Sequence, residues 1–404
     1  MRTGIEAEFG SPEEAARRPT FLELFFDLVF VFALTRIVAR IDEGLTVHPG
    51  GNELWDVTLG FFKAVVLLLA LFAVWEGTAW TTTRYNPDSA VVQIVVVIAL
   101  VCSMVMGVAM PRAFSSSGLA FAIAFCIAQI SRPLLLRIAL RQRDRRALKL
   151  RMLITHSALA VLWISGALVI GWPRGLLWGT ALVAEYVLIR FGWPVPGLAR
   201  ADLSRWDVAG GHLAERFQQF FLIALGETIL VIGFTYSQGS FDSGRTTAFA
   251  LAIATSLLIW WIYFHRAGKI LAEAVAASTH PATIGRSVAN THILMTIGIV
   301  ATAAGYEISI DHAFDYPKAS WLIPILGGPV LFIAARSRLE YEVFSRVSPS
   351  RIVTIVALLA LAPVVLFAPT LVASAVAAVV LGVAAVVDLR RSRGAPPEAA
   401  VPPF

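Results

Sequence analysis

The stretch IVTIVALLALAPVVLFAPTLVASAVAAVVLGVAAVV, running from Ile352 to Val387, carries no charged residue. As a single helix it would be about 54 Å long, whereas a bilayer hydrocarbon core is about 30 Å thick. Pro363 and the step Ala368-Pro369-Thr370 offer a place to turn back, so the stretch predicts two short transmembrane helices at 352–367 and 370–388. A span needs about 20 mostly apolar residues. By that measure further spans fall at 21–41, 58–80, 89–110, 113–136, 152–171, 175–190, 212–236, 246–265, 287–306 and 319–335. The chain therefore reads as all-α, a polytopic transmembrane helix bundle of about twelve spans, with eleven as the rival count.

Composition agrees. Hydrophobic residues make up 57% of the 404 and charged residues only 15%, against about 45–50% and about 25% in soluble domains. Mean hydropathy is +0.74, which excludes a water-soluble globule and a disordered chain. The net charge of +6 would suit nucleic acid, but the cations sit in short loops between apolar runs, so no nucleic-acid partner is expected. Cys102 and Cys126 fall inside apolar segments and read as small buried hydrophobes. The N-terminus holds Glu6, Glu8, Glu13 and Glu14 and lacks a basic n-region or small-residue cleavage site, so no signal peptide is expected.

Loop charge sets the orientation. With the N-terminus inside, the inner segments collect most of the arginines and lysines, and the outer loops keep only Arg112, Arg174, Arg245 and Lys318. The positive-inside rule then predicts a bacterial inner-membrane protein with both termini cytoplasmic. The organisation is a cytoplasmic segment 1–20, a first transmembrane half 21–190, a cytoplasmic linker 191–211, a second half 212–388 and a cytoplasmic tail 389–404. Six spans per half would make the halves parallel repeats. In faint support, aligning Glu23 on Glu215 also aligns Phe25 on Phe217. The basic loop 137–151 reads as a topology determinant that also meets anionic lipid head groups.

A charge at mid-bilayer costs about 2.5–3.5 kcal/mol on insertion scales, so ionisable groups inside spans mark sites. Span one carries Glu23 and Asp27, four residues apart and on one helical face. Span seven carries His212, Glu215, Arg216, Gln219 and Glu227; four of these, His212, Glu215, Gln219 and Glu227, share a stripe about 120° wide. Glu227 lies about 22 Å along the helix from His212, beyond the midplane, where no helix-end effect explains it. Together the two spans line a polar path. Glu76, His156, Glu185, His265 and His292 are possible additional members at the inner third. The competing structural reading makes Glu23, Glu215 and Arg216 a packing ion pair or helix caps.

Trp75, Trp80, Trp260, Trp261 and Tyr263 read as interface anchors, and Lys63 and Arg36 as cations that snorkel outward. The spacing His212-x-x-Glu215 suits a metal pair, yet other helices would have to supply the remaining ligands. No Walker loop, dinucleotide fingerprint, His-Glu-x-x-His or Gly-x-Ser-x-Gly elbow is present. No metal, cofactor or catalytic residue is therefore assigned.

Glu23-Leu-Phe-Phe-Asp27-Leu-Val-Phe-Val-Phe-Ala33, His212-Leu-Ala-Glu215-Arg216-Phe and Ala224-Leu-Gly226-Glu227-Thr228-Ile resemble the span-one and His…Glu-Arg…Gly-Glu signatures of the bacterial low temperature requirement protein A (LtrA) family. Trp261-Ile-Tyr-Phe-His265 is similar to a further family segment in which an acidic residue is common in place of His265. The likeness covers roughly residues 20 to 390. It implies a multi-pass bacterial membrane protein linked to growth in the cold, without naming a reaction or substrate. More loosely, Phe25-Phe26-Asp27 resembles the Phe-Ser-Asp motif of twelve-span endolysosomal potassium and proton channels. Here Phe26 replaces the serine, and Gln218-Gln219 stand where the second aspartate would fall.

Three functions remain open on these residues. The leading one moves an ion, proton or small solute along the polar path. The second is an intramembrane enzyme with a cytoplasm-facing His/Glu site, and the third a non-catalytic membrane factor for cold adaptation. The lipid bilayer is the expected partner in each, and a homo-oligomer is left open.

Overall fold

The structure is a computed structural model that describes residues 18–46, 53–140, 143–198, 210–268, 270–393 and 398–403. The acidic N-terminal residues Glu6 to Glu14 and most of the 191–211 linker, with Arg200 and Arg205, lie outside the described residues. All regular structure among the described residues is helical. The helices are α1 (Phe21–Thr46), α2 (Glu53–Arg84), α3 (Ala90–Ala109), α4 (Gly118–Ala139), α5 (Arg143–Leu168), α6 (Trp172–Arg190) and α7 (Gly210–Ser237). They continue with α8 (Ser243–Tyr263), α9 (Leu271–Ala277), α10 (Pro281–Asp311), α11 (Ala319–Leu322), α12 (Gly328–Phe344), α13 (Pro349–Val365) and α14 (Thr370–Ser392). Among the described residues, nine helical segments are long and apolar enough to cross a membrane.

The outward faces of these helices show why. On α3, Val92, Val95, Val96, Ala99, Cys102 and Met106 are buried, while Ile94, Val97, Val101, Val105 and Val108 are exposed. Both faces are apolar, and the exposed one recurs at helical spacing. That pattern fits lipid outside and packed protein inside, since a helix in water would turn polar residues outward. The protein is a multi-pass membrane protein.

The chain forms two compact units. The first comprises Met1–Ile37, Lys63–Arg216 and His280–Ala282. Its core holds an aromatic stack from three helices: Phe121 and Phe125 of α4, Trp163 of α5 and Trp178 of α6, with ring centroids 4.3 to 6.1 Å apart. Arg174, read from the sequence as an outer-loop cation, is buried. It donates to the carbonyls of Gly166, Ala167 and Val169 at the end of α5 and to those of Ala113 and Ser115 before α4. Helix-end carbonyls lack intrahelical donors, and one guanidinium supplies them here. Five donors in a fixed fork suit Arg to that task better than Lys.

The second unit comprises Val38–Phe62, Phe217–Thr279 and Thr283–Phe404. Over the most apolar 18 residues of α10, 89% are buried, which places α10 in the interior of this unit. It can be so because small residues let other backbones approach: a Cβ on Gly298 would lie 2.7 Å from the Phe332 nitrogen, and one on Gly305 2.9 Å from the Ile325 backbone. The segment facing Gly305 is a π-helical turn, Ile323–Gly327, at Pro324 between α11 and α12. In the opening stretch of sequence the chain turns at 366–369, between α13 and α14, and Pro363 sits inside α13. The first amides of α14 are met by other carbonyls: Thr370 donates to Asp315 O at 2.8 Å and Leu371 to Ala313 O at 3.0 Å.

Candidate functional site

In the first unit the site begins at the first turn of α1. Thr20-Phe-Leu-Glu23 is a capping box: Glu23 Oε2 accepts from the Thr20 amide at 2.9 Å and hydroxyl at 3.0 Å, and the Glu23 amide donates to Thr20 Oγ1 at 3.3 Å. One turn later, Asp27 faces the same way. Its two oxygens accept a fork from Arg216, Nη1 to Oδ2 at 2.7 Å and Nη2 to Oδ1 at 2.8 Å, and Oδ1 also accepts from Trp75 Nε1 at 2.9 Å. The guanidinium lies over the Trp75 ring, 5.7 Å from its centroid. Glu23 Oε1 is 3.4 Å from His212 Nε2 and 3.5 Å from Arg216 Nε. His212 Nδ1 meets the Thr83 hydroxyl at 2.9 Å.

Glu23, Asp27, His212 and Arg216 are thus brought together, all buried. Trp75 is fully buried and donates to Asp27; the expected interface anchor is instead part of the network. Nothing local distinguishes it in sequence from Trp80, which is half-buried. Glu215 stays apart: it is half-buried, and it forms no hydrogen bond or ion pair among the described residues. Gln219 is also half-buried.

A second buried group in this unit gathers Glu185 of α6, His156 of α5, and Gln129 and Arg132 of α4. The Gln129 amide donates to Glu185 Oε1, Arg132 donates to Gln129 Oε1 at 2.8 Å, and His156 Nδ1 is 3.8 Å from Glu185. Charges on Glu76 and Glu185 both act on Arg132. The Arg132 guanidinium lies against Gly77 of α2, where a Cβ would come within 1.7 Å of Nη1. Sequence reasoning missed Gln129 and Arg132. For Arg132 the signal was present, because an ionisable residue inside an apolar span is the feature that singled out Glu227. In the basic 137–151 segment, Lys149 and Arg151 turn inward and are buried, with Lys149 5.2 Å from the centroid of the Tyr85 ring.

Glu227 lies in the second unit. Its side chain is 0% exposed, and neither carboxylate oxygen has a hydrogen-bond partner among the described residues. Beside it, Thr228 meets Ser256 at 3.1 Å and Ser256 meets Tyr306 at 3.4 Å, a short hydroxyl chain from α7 through α8 to α10. A Cβ on Gly226 or Gly233 would meet nothing within 4 Å, because both lie on the outward face of α7 with the exposed Leu222, Ile229 and Leu230.

His292 belongs to the same unit and is occupied at both nitrogens. Val288 O accepts at 2.8 Å from Nδ1, so Nε2 accepts from the Tyr263 hydroxyl at 2.8 Å. Tyr263 is fully buried and stacks on Phe221 at 3.6 Å; it too is a core residue rather than an anchor. His265 stacks on Trp261 at 4.2 Å, where α8 breaks into non-helical backbone at His265 and Arg266. Among the described residues no cluster of three or more His, Cys, Asp or Glu is placed to hold a metal ion.

Residues 18–386 match the family described as Bacterial low temperature requirement A protein (LtrA). An uncharacterized protein of Rhizobium meliloti (strain 1021) is 32% identical over 336 residues, which cover 82% of this chain and 79% of that protein. The match takes in both α1 and α7, with their buried acids and arginine, and on it the chain belongs to the bacterial low temperature requirement A family.

Proposed function

We propose that this protein moves an ion, proton or small solute across the bacterial inner membrane along the polar stripe of α7 and the facing acids of α1. Glu227 carries the reading. A buried carboxylate with no fixed donor, on a helix in an apolar span, is the group to which a mobile proton or cation binds. The hydroxyl chain Thr228, Ser256 and Tyr306 beside it supports the reading. His212, Glu215, Arg216 and Gln219 precede Glu227 on α7, and Glu23 and Asp27 orient Arg216.

Three shorter or more polar helices complete the proposed topology. Phe21, Phe25 and Leu28 of α1, Leu176, Val183 and Val187 of α6, and Ile352, Val356 and Leu359 of α13 are exposed, which supports lipid contact and hence crossing. Twelve spans would then place both termini in the cytoplasm, with residues 21–190 and 212–388 as parallel halves and the exposed cations of 137–151 on anionic head groups. The test is flux in proteoliposomes loaded with a pH or potassium indicator. Glu227→Gln loses flux while its circular dichroism matches the wild type, and unchanged flux would overturn the role of Glu227.

A further inference from the structure

The polar stripe leaves unused a charged cleft in the second unit, at the end where α12 stops and α13 starts. Arg266, Arg336, Arg351 and Arg391 line it, with Glu340, Asp388 and Glu398. Two of these carboxylates are committed to their own framework. Glu340 accepts from the amide and hydroxyl of Ser348, just before α13, and from Arg351 Nε at 3.3 Å. Asp388 accepts from the Ser350 hydroxyl at 3.1 Å and lies 2.6 Å from Arg351 Nη2. The guanidinium of Arg336 caps the broken end of α8, donating to Ile262 O and His265 O at 3.0 Å each.

What remains is positive. Arg336 is 1% exposed and Arg351 3%, yet Nη1 of each has no hydrogen-bond acceptor among the described residues; Arg336 Nη1 comes no nearer to Glu340 than 3.9 Å. A buried guanidinium N–H without an acceptor is costly, and an oxyanion is what it lacks. The C-terminal segment brings one to the mouth of the cleft. Glu398 accepts from Arg266 Nη2 at 2.6 Å and from Arg346 Nε at 3.0 Å. The tail is tied down one turn away, where Val401 N donates to Val343 O at 2.9 Å and the Ser345 hydroxyl to Val401 O at 2.6 Å. Arg266, which meets Glu398, has φ 67, a left-handed conformation that a non-glycine residue holds only under local constraint.

We propose that this cleft binds a phosphate group, with Glu398 as its built-in competitor. A phosphate carries more charge than a carboxylate and offers three acceptor oxygens, so it would meet Arg391 and the two open Nη1 groups that Glu398 does not reach, while taking Arg266 from it. The tail then reports occupancy, because Glu398 leaves Arg266 when the phosphate arrives. A soluble phosphate compound and a phospholipid head group share this chemistry, and the inference is independent of the path along α7.

The experiment uses the purified full-length protein. Inorganic phosphate is titrated calorimetrically in detergent against chloride at constant ionic strength, and binding to vesicles of phosphatidylglycerol is compared with binding to vesicles of phosphatidylcholine. Glu398→Gln strengthens binding and Arg391→Gln weakens it, each by about tenfold, as expected for one charge-assisted contact. Arg391 is exposed, so its variant keeps the fold, as an unchanged melting temperature without ligand confirms. Phosphate binding with these shifts marks a soluble ligand; phosphatidylglycerol preference with the same shifts, and none for phosphate, marks a head group. Binding that neither substitution alters, or no binding by either probe, overturns the proposal.

Discussion

Asp27 in the first unit and Glu227 in the second are both fully buried acids in apolar helices, and from sequence they look alike. Asp27 accepts from both Nη atoms of Arg216 and from Trp75, whereas Glu227 accepts from nothing among the described residues. The first pattern holds a structure together and the second leaves a group available. Removing one partner of a buried, satisfied pair strands the other charge, at about 3–5 kcal/mol; removing a carboxylate that has no partner strands nothing.

The largest expected effect therefore falls on Arg216. Arg216→Gln leaves Asp27 and Glu23 buried without their counter-charge and lowers stability by about 3–5 kcal/mol, measured as a shifted midpoint in detergent-denaturant titration. Adding Asp27→Asn recovers part of that loss. A strictly additive double variant would show that the two residues do not act as a pair.

Packing gives the next contrast. Gly77 lies under the Arg132 guanidinium, so Gly77→Ala forces the side chain aside and destabilises by about 1–3 kcal/mol. At Gly226, beside Glu227, a Cβ meets nothing, and Gly226→Ala should be neutral or stabilise the helix by up to about 1 kcal/mol. Equal melting temperatures for the two variants would mean that the Arg132 guanidinium yields to the added methyl at no cost. Smaller again is Thr20→Ala, which removes the cap of α1 and costs about 1 kcal/mol, visible as a drop of a few degrees in melting temperature.

These contrasts also separate what the sequence makes legible from what it hides. Apolar length is a one-dimensional property, so the division of Ile352 to Val387 into two helices could be read directly, and the chain turns at 366–369, beside the Ala368-Pro369-Thr370 step. The capping box was equally local: Thr20 and Glu23 stand at the required spacing, and the structural reading of Glu23 as a helix cap holds alongside its contacts to His212 and Arg216. Trp75, Thr83 and Gln129 could not be found the same way, because their importance comes from partners far along the chain, 48 residues away for Trp75 and Asp27. Arg174 shows the converse. Its position in a loop suggested orientation, but five carbonyls from two chain segments converge on it, and only folding brings them together.

The smallest effect on stability falls on Glu227, where the functional effect is greatest. Since no partner is stranded, Glu227→Gln costs less stability than breaking the buried Asp27 pair, while flux in proteoliposomes falls by at least about tenfold if Glu227 binds the moving ion. Asp27→Asn gives the reverse pairing: it loses stability first, and any flux it loses should return when the protein is assayed at a temperature where it stays folded. The two substitutions distinguish a conducting carboxylate from a structural one because each removes one charge from a buried acid of nearly the same size. If Glu227→Gln destabilises as strongly as Asp27→Asn and flux follows folded fraction in both, then both acids serve packing and α7 is a scaffold rather than a path.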